Sequence, residues 1–213
     1  MITCYTGGIL AEAQDRGNGK TATMTFSLAF AKYPNMTFVS DDGTPGSTRL
    51  ILGEPNPDIS VFTNYRVGFA DKVLSPDEIS ELFETEILRN CVIGIDEMQV
   101  LWDSHFGMNQ KSVKNRLQRL VQQSRKRNVS IYYTTQRNKN VHAILRRHTN
   151  LVCECIKRHY FTHDVCYDDQ CYVPHYVEVV DLDFRYPVWR WPLDCIFEFY
   201  DSDEIIFEEK TSQ

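Results

Sequence analysis

No apolar run in this sequence approaches ~18 residues, which excludes a helix long enough to cross a bilayer. The first residues, MITCYTGG, lack the charged and apolar regions of a secretory signal, so no leader is expected. There are no internal repeats and no low-complexity segments, which excludes solenoids and disordered arrays. A paired cysteine framework is missing too. Cys4, Cys91, Cys153, Cys155, Cys166, Cys171 and Cys195 make an odd set of seven, expected as reduced thiols, mostly small core residues. Cys153, Cys155, Cys166 and Cys171, with His159 and His163 between them, have C-x-C and C-x₄-C spacings that fit structural zinc pairs poorly. They are not assigned a metal.

Acid is scarce where base is dense. The formal net charge is −6, yet between Asn109 and Asn150 lie eleven of the 23 Lys and Arg residues and not one Asp or Glu. From Asp194 to Glu209 the balance reverses, with seven acids and no base. At 213 residues and 42% hydrophobic content the chain suits one α/β domain with a small appendage. The boundaries expected are 1–165 for the core and 166–213 for a β-rich C-terminal extension of the same domain with an acidic tail.

The most informative stretch is residues 10–30, LAEAQDRGNGKTATMTFSLAF. An apolar run, Gly8 to Ala13, leads into a polar turn, Gln14 to Gly19. Lys20-Thr21 follow, then a helical pattern with Met24, Phe26, Leu28, Ala29 and Phe30. Strand, loop, Gly-Lys-Thr, helix is the context of a phosphate-binding loop. Glycines let backbone N–H groups converge on an anion, the helix N-terminus adds its positive end, and Lys20 adds a full charge. The candidate cradle is Arg16, Gly17, Asn18, Gly19, Lys20, Thr21 and Ala22. The Thr21 hydroxyl is the candidate ligand for a Mg²⁺ that bridges phosphates. One element of the pattern is absent, because Gln14 stands where the first glycine belongs. Alone, GNGKT also reads as an ordinary polar turn capping a helix.

Downstream, Met36 to Ser40 reads as a strand, 43–58 as a loop with little periodicity, and Ile59 to Tyr65 as another strand. Ser75-Pro76-Asp77-Glu78 has the pattern of a capping box. The helix it opens carries Ile79, Leu82, Phe83 and Leu88 on one stripe and ends near Asn90. Cys91 to Ile95 is a continuous apolar run, the mark of a strand covered on both faces. A basic amphipathic helix is expected over about 110–126, a central strand over Val129 to Thr135, and a short helix around Ala143 to Leu145. Leu151 to Ile156 reads as a fifth main strand. Cys171 to Val180 and Ile196 to Tyr200 read as β-structure, separated by a loop with Trp189 and Trp191. Strands alternating with helices predict a mainly parallel sheet.

Asp96-Glu97 follow the buried run directly, which puts two carboxylates at the carboxyl end of a central strand, where open α/β sheets bind ligands. In a nucleotide hydrolase Asp96 holds Mg²⁺ through water, and Glu97 orients or deprotonates the attacking water. The bland reading is a solvated acidic turn. Gln136, at the tip of the YYTTQ strand, is a candidate contact for the γ-phosphate or the attacking water, or else a surface amide beginning a turn.

The order phosphate loop, hhhhDE, basic helix, strand ending in TTQ resembles the HerA/FtsK group of P-loop ATPases. Within that group it is most similar to the small genome-packaging ATPases of double-stranded DNA viruses, including archaeal ones. The likeness covers about Ile9 to Arg158. It implies a RecA-like core, ATP and Mg²⁺ as cofactors, a homo-oligomeric and often hexameric ring, and ATP-driven DNA translocation. It also implies catalytic roles for Glu97 and Gln136 and an arginine acting on a neighbour's γ-phosphate. Arg125 or Arg127 would fit, with Arg146 and Arg147 as alternatives.

Lys111, Lys114, Arg116 and Arg119, with the Arg125-Lys126-Arg127 cluster, are candidate phosphate contacts to DNA. The alternatives are a solvated helix face or a contact with the acidic tail. The expected partners are double-stranded DNA, further copies of this chain, and a viral capsid or portal-vertex protein, with no membrane insertion. The expected setting is host cytoplasm during virion assembly. Rival readings are a Zot-like filamentous virion assembly ATPase, a small HerA-like helicase or DNA-mobilising motor, and a nucleotide-binding capsid-assembly protein.

Overall fold

Six consecutive residues near the start of the chain, ITCYTG, are all buried and form strand β1 (Ile2–Gly7). The strand that precedes the glycine turn thus lies upstream of the apolar run at 8–13. Threonine and tyrosine at alternate positions supply its β-propensity without a visibly apolar pattern. The computed structural model describes residues 1–7, 19–44, 47–75, 78, 79, 81, 88–101, 115, 118, 119, 121, 122, 124, 126–168 and 171–200. The run at 8–13, Arg16, Gly17, Asn18, Lys111, Lys114, Arg116, Arg125 and the acidic tail beyond Tyr200 lie outside the described residues.

After β1 come helix α1 (Lys20–Lys32) and strands β2 (Thr37–Ser40), β3 (Thr48–Ile51), β4 (Ser60–Thr63), β5 (Lys72–Val73) and β6 (Cys91–Ile95). Helix α2 (Met98–Leu101), strand β7 (Val129–Thr135), helix α3 (Ala143–His148) and strand β8 (Leu151–His159) follow. The chain then adds β9 (His175–Asp181), β10 (Tyr186–Pro192) and a 3₁₀ turn (Asp194–Phe199). The eight-stranded sheet has the order β10-β9-β8-β1-β7-β6-β4-β5. Its pairs are parallel from β8 through β5 and antiparallel at β8–β9 and β9–β10. The fold is therefore α/β with a mainly parallel central sheet.

Three expectations need correction. The segment 43–58 contains β3, which pairs antiparallel with β2 in a separate ribbon. The tryptophans lie on strand β10 rather than in a loop, because β9 offers its outer edge to them. Asp194 to Phe199 is a 3₁₀ turn rather than a strand, and only Tyr200 bridges to Val67. Short apolar runs carry no period long enough to separate these states.

Other signals read locally are met locally. Ser75 and Glu78 form the reciprocal capping box, with Ser75 N–H on Glu78 Oε2 at 2.8 Å and Glu78 N–H on Ser75 Oγ at 3.3 Å. Ile79 and Leu88 of that segment are buried, while Leu82 and Phe83 lie outside the described residues. In the basic segment Asn115, Gln118, Arg119, Val121, Gln122, Ser124 and Lys126 are helical, with Val121 buried.

The sheet is covered on both sides. Ile2 and Cys4 of β1, Ile93 and Ile95 of β6, and Ile131 and Tyr133 of β7 share one core with Met98 and Leu145. Tyr5, Val92 and Tyr132, one residue out of phase, face the other core, with Met24 and Leu28 of α1. Gly94 makes this approach close, since a Cβ there would lie 2.5 Å from Leu28 Cδ1. Hydroxyls fix α1 on the sheet: Ser27 bonds Tyr5 at 2.7 Å and Thr25 bonds Tyr65 at 2.9 Å.

The C-terminal segment completes the α1-side core. Val177, Val179, Trp191, Leu193, Cys195 and Ile196 are all buried in it. Trp191 stacks on Phe26 of α1 with ring centroids 5.0 Å apart. Gly19, the N-cap of α1, has φ +79°, and a Cβ there would lie 2.7 Å from Val177 Cγ2. Glu178 of β9 is the buried centre of an ion triad. It receives Arg158 Nε from β8 at 2.7 Å and Arg190 NH2 from β10 at 2.6 Å.

Burial alone would raise the Glu178 pKa, but the hydrogen bonds and charges of Arg190 and Arg158 hold it below 4.5. The stability it confers is therefore complete at neutral pH and is lost as pH falls through that lowered value. Glu178→Gln is expected to cost about 1–2 kcal/mol at pH 7, Arg190 being largely exposed, and to flatten the acid limb of a Tm-versus-pH curve. Gly19→Ala should lower Tm through both the left-handed backbone and the clash. Adding Val177→Ala should recover only the part due to the clash, as measured by thermal denaturation of the single and double variants.

Candidate functional site

The carboxyl ends of β1, β7 and β6 lie side by side, and α1 begins above them. Strand β7 lies between β1 and β6, so the strand that ends in Gln136 sits between the glycine-turn strand and the Asp96-Glu97 strand. Gln136 itself follows β7 directly. Its backbone carbonyl accepts a bond from Thr6 Oγ1 at 3.2 Å, and its side chain is exposed.

Asp96 is the centre of the arrangement. Thr21 Oγ1 donates to its Oδ1 at 2.9 Å, joining residues 75 positions apart. Thr134 Oγ1 of β7 donates to the same oxygen. Asn64, just past β4, grips the backbone at both atoms: Asp96 N–H donates to Asn64 Oδ1 at 2.7 Å, and Asn64 Nδ2 donates to Asp96 O at 3.0 Å. Burial raises the carboxyl pKa, the hydrogen bonds of Thr134 and Thr21 lower it, Glu97 raises it and Lys20 lowers it; the net direction is upward. Lys20 is itself buried at 8% exposure, in the first turn of α1.

Glu97 has φ +51°, a left-handed conformation that is costly for a residue with a long side chain. Thr134 Oγ1 accepts its backbone N–H at 2.9 Å, and Gln99 Nε2 donates to its Oε2. A carboxylate is thereby fixed at the mouth of the site. The α1 N-terminus is left-handed at Gly19 and has no side-chain cap. Hydroxyls of Thr23, Thr25 and Ser27 bond the carbonyls of Gly19, Thr21 and Thr23 instead. Ala22 is buried against the sheet at 1% exposure.

The donor set suits Mg²⁺. A threonine hydroxyl and a buried carboxylate are hard oxygen ligands, and their 2.9 Å separation matches adjacent positions of an octahedron with bonds of about 2.0–2.1 Å. A carboxyl whose pKa is raised by burial is also one that a cation would stabilise in its ionised form.

Other sequence candidates fall elsewhere. Arg127 precedes β7 at its amino end and bonds Asn90 N–H through its carbonyl at 3.0 Å. With seven residues of strand between it and Gln136, it stands about 20 Å from the carboxyl edge of its own chain. Arg146 and Arg147 are exposed in the last turn of α3. Arg119 is an exposed helical residue. Asn64, Thr134 and Gln99 were not singled out from the sequence. The available signal was positional, since polar residues at carboxyl tips of buried strands line α/β sites.

No family model matches the sequence, and no curated protein matches it. Solved structures do. The N-terminal domain of zonular occludens toxin from Neisseria meningitidis superposes with a TM-score of 0.55 at 15% identity, over 94% of this chain and 98% of that one. The genome packaging NTPase B204 from Sulfolobus turreted icosahedral virus 2, in complex with ATP-gammaS, gives 0.48 at 10% identity over 90% and 97%. The same NTPase in complex with AMP gives 0.48 at 10% identity over 90% and 96%. At these identities the toxin domain speaks for the fold. This chain has the mixed α/β, mainly parallel architecture of that domain across nearly its whole length.

Proposed function

We propose that this chain is a P-loop ATPase whose hydrolysis cycle drives double-stranded DNA translocation during virion assembly. The observation that carries the reading is the Thr21–Asp96 hydrogen bond, with buried Lys20 beside it at the carboxyl edge of the sheet. It joins the Gly-Lys-Thr turn to the acidic strand, and two unrelated surface turns would have no reason to meet there. The toxin-domain fold supports the same reading at the level of architecture.

In this reading residues 16–22 cradle the triphosphate of ATP, and Lys20 neutralises its charge. Thr21 and Asp96 hold Mg²⁺, which supplies Lewis-acid polarisation of phosphate oxygens when bound. Glu97, held by Gln99 and Thr134, accepts a proton from the attacking water, and Gln136 orients that water or the γ-phosphate. Arg127, too far from its own site, acts on a neighbouring subunit, as would Arg125. That assigns the chain to a homo-oligomer, a hexameric ring being the simplest closed form. Lys111, Lys114, Arg116 and Arg119 track DNA phosphates without reading sequence. Residues 1–165 are the motor core and 166–213 its extension, which is the surface for a capsid or portal-vertex protein.

A second reading, a Zot-like virion-assembly motor, draws on the toxin-domain likeness over 94% of the chain. DNA separates the two. The translocase predicts turnover stimulated by double-stranded DNA, and binding that falls steeply with salt; a flat salt response removes the DNA partner.

Lys20→Ala is expected to abolish nucleotide binding in a calorimetric titration. Glu97→Gln should bind ATP normally while turnover falls by about 100-fold or more. Undiminished hydrolysis in Glu97→Gln would refute the role given to that carboxylate.

A further inference from the structure

The far end of the β8–β9 hairpin gathers two histidines and two cysteines that the nucleotide site does not use. His159 closes β8 and His175 opens β9, and the two are direct partners in the antiparallel register. Their rings lie 5.2 Å apart between centroids. The connecting segment brings Cys166 back through its N–H on Lys157 O at 2.9 Å, and Cys171 Sγ lies 3.5 Å from His159 Nε2. One ligand atom from each of His159, Cys166, Cys171 and His175 falls within 4.8 Å of the other three. A tetrahedral ion with bonds of about 2.0–2.3 Å needs donor separations of about 3.3–3.8 Å, so the four atoms are already close to a coordination shell.

We propose that His159, Cys166, Cys171 and His175 form a structural zinc site that clamps the end of the β8–β9 hairpin. A second observation points to a ligand. His175 is buried at 4% exposure, and its Nε2 has no hydrogen-bond partner among the described residues. A buried imidazole nitrogen without a partner is costly unless something binds it. The donor set is S₂N₂, which selects zinc over the hard cations. The site is closed by four protein ligands, the mark of a structural rather than a catalytic ion. Both cysteines are free thiols, so no disulfide has to be broken. The other Cys and His residues of this stretch lie elsewhere: Cys153 and Cys155 are buried in the α1-side core, and His163 Nδ1 meets Tyr176 Oη at 3.4 Å.

The test uses the full chain, reduced and stripped of metal, titrated with Co²⁺ alone and with Zn²⁺ alone. Tetrahedral thiolate coordination predicts visible Co²⁺ absorption saturating at one ion per chain, and displacement by Zn²⁺. Cys166→Ser, Cys171→Ser and His175→Ala should each abolish the absorption or weaken affinity by about 10-fold or more. Cys153→Ser and His163→Ala should leave it intact. His159→Cys should retain binding with a stronger thiolate band, which distinguishes ligation from misfolding. Failure of the unmodified chain to bind either ion, or binding indifferent to Cys166, Cys171 and His175, overturns the proposal. So does a Cys166–Cys171 disulfide that persists in the metal-treated protein.

Discussion

A carboxylate buried at the tip of β6 imposes the main constraint on this molecule. Asp96 is 7% exposed, and an ionised group there is tolerable only with hydrogen bonds from every side. The carboxylate receives bonds from α1 through Thr21 and from β7 through Thr134, while Asn64 at the end of β4 holds the Asp96 backbone at N–H and C=O. Three elements separated widely in sequence thus have their relative positions fixed by one side chain and its own backbone. The left-handed turn at Glu97 follows directly, since the chain must leave β6 while its N–H stays on Thr134.

The C-terminal segment is structural in a way its position in the chain does not suggest. It closes the core over α1 with Trp191 against Phe26, and it presses Val177 onto Gly19. Gly19, where α1 begins, is therefore walled by β9, an element more than 150 residues away. Rigidity of that wall rests on Glu178, whose two arginine partners tie β8, β9 and β10 together. Beyond the triad, the four-residue Cys/His cluster stands at the end of the hairpin where the connecting segment joins β8 to β9.

Legibility of the sequence followed the range of the physics. Cys91 to Ile95 was readable because a strand buried on both faces shows as a continuous apolar run, and Val129 to Thr135 because β-branched and aromatic residues dominate it. The Ser75/Glu78 box was readable because its two hydrogen bonds join residues three apart. Strand β1 was not singled out because its threonines dilute the apolar signal, and β3 was missed because an exposed two-stranded ribbon needs no apolar period. The Trp189/Trp191 segment became a strand only because β9 supplied an edge for it.

The candidate site divides in the same way. Residue chemistry and order alone singled out Lys20, Thr21, Asp96, Glu97 and Gln136, because Gly-Lys-Thr before a helix and acids after a buried strand are local patterns. Asn64, Thr134 and Gln99 entered only with tertiary structure, since nothing near them in the chain says what they will face. The same holds for the histidine pair. Spacing argued against a metal set drawn from the neighbouring cysteines, whereas antiparallel register places His159 opposite His175 and turns Cys153 and Cys155 into the core. The sequence by itself determined the central strands that end at Asp96-Glu97 and at Gln136, because their burial and tip chemistry are local. Strand order and register decided which tips meet, because hydrogen bonds between strands join residues that share no sequence neighbourhood.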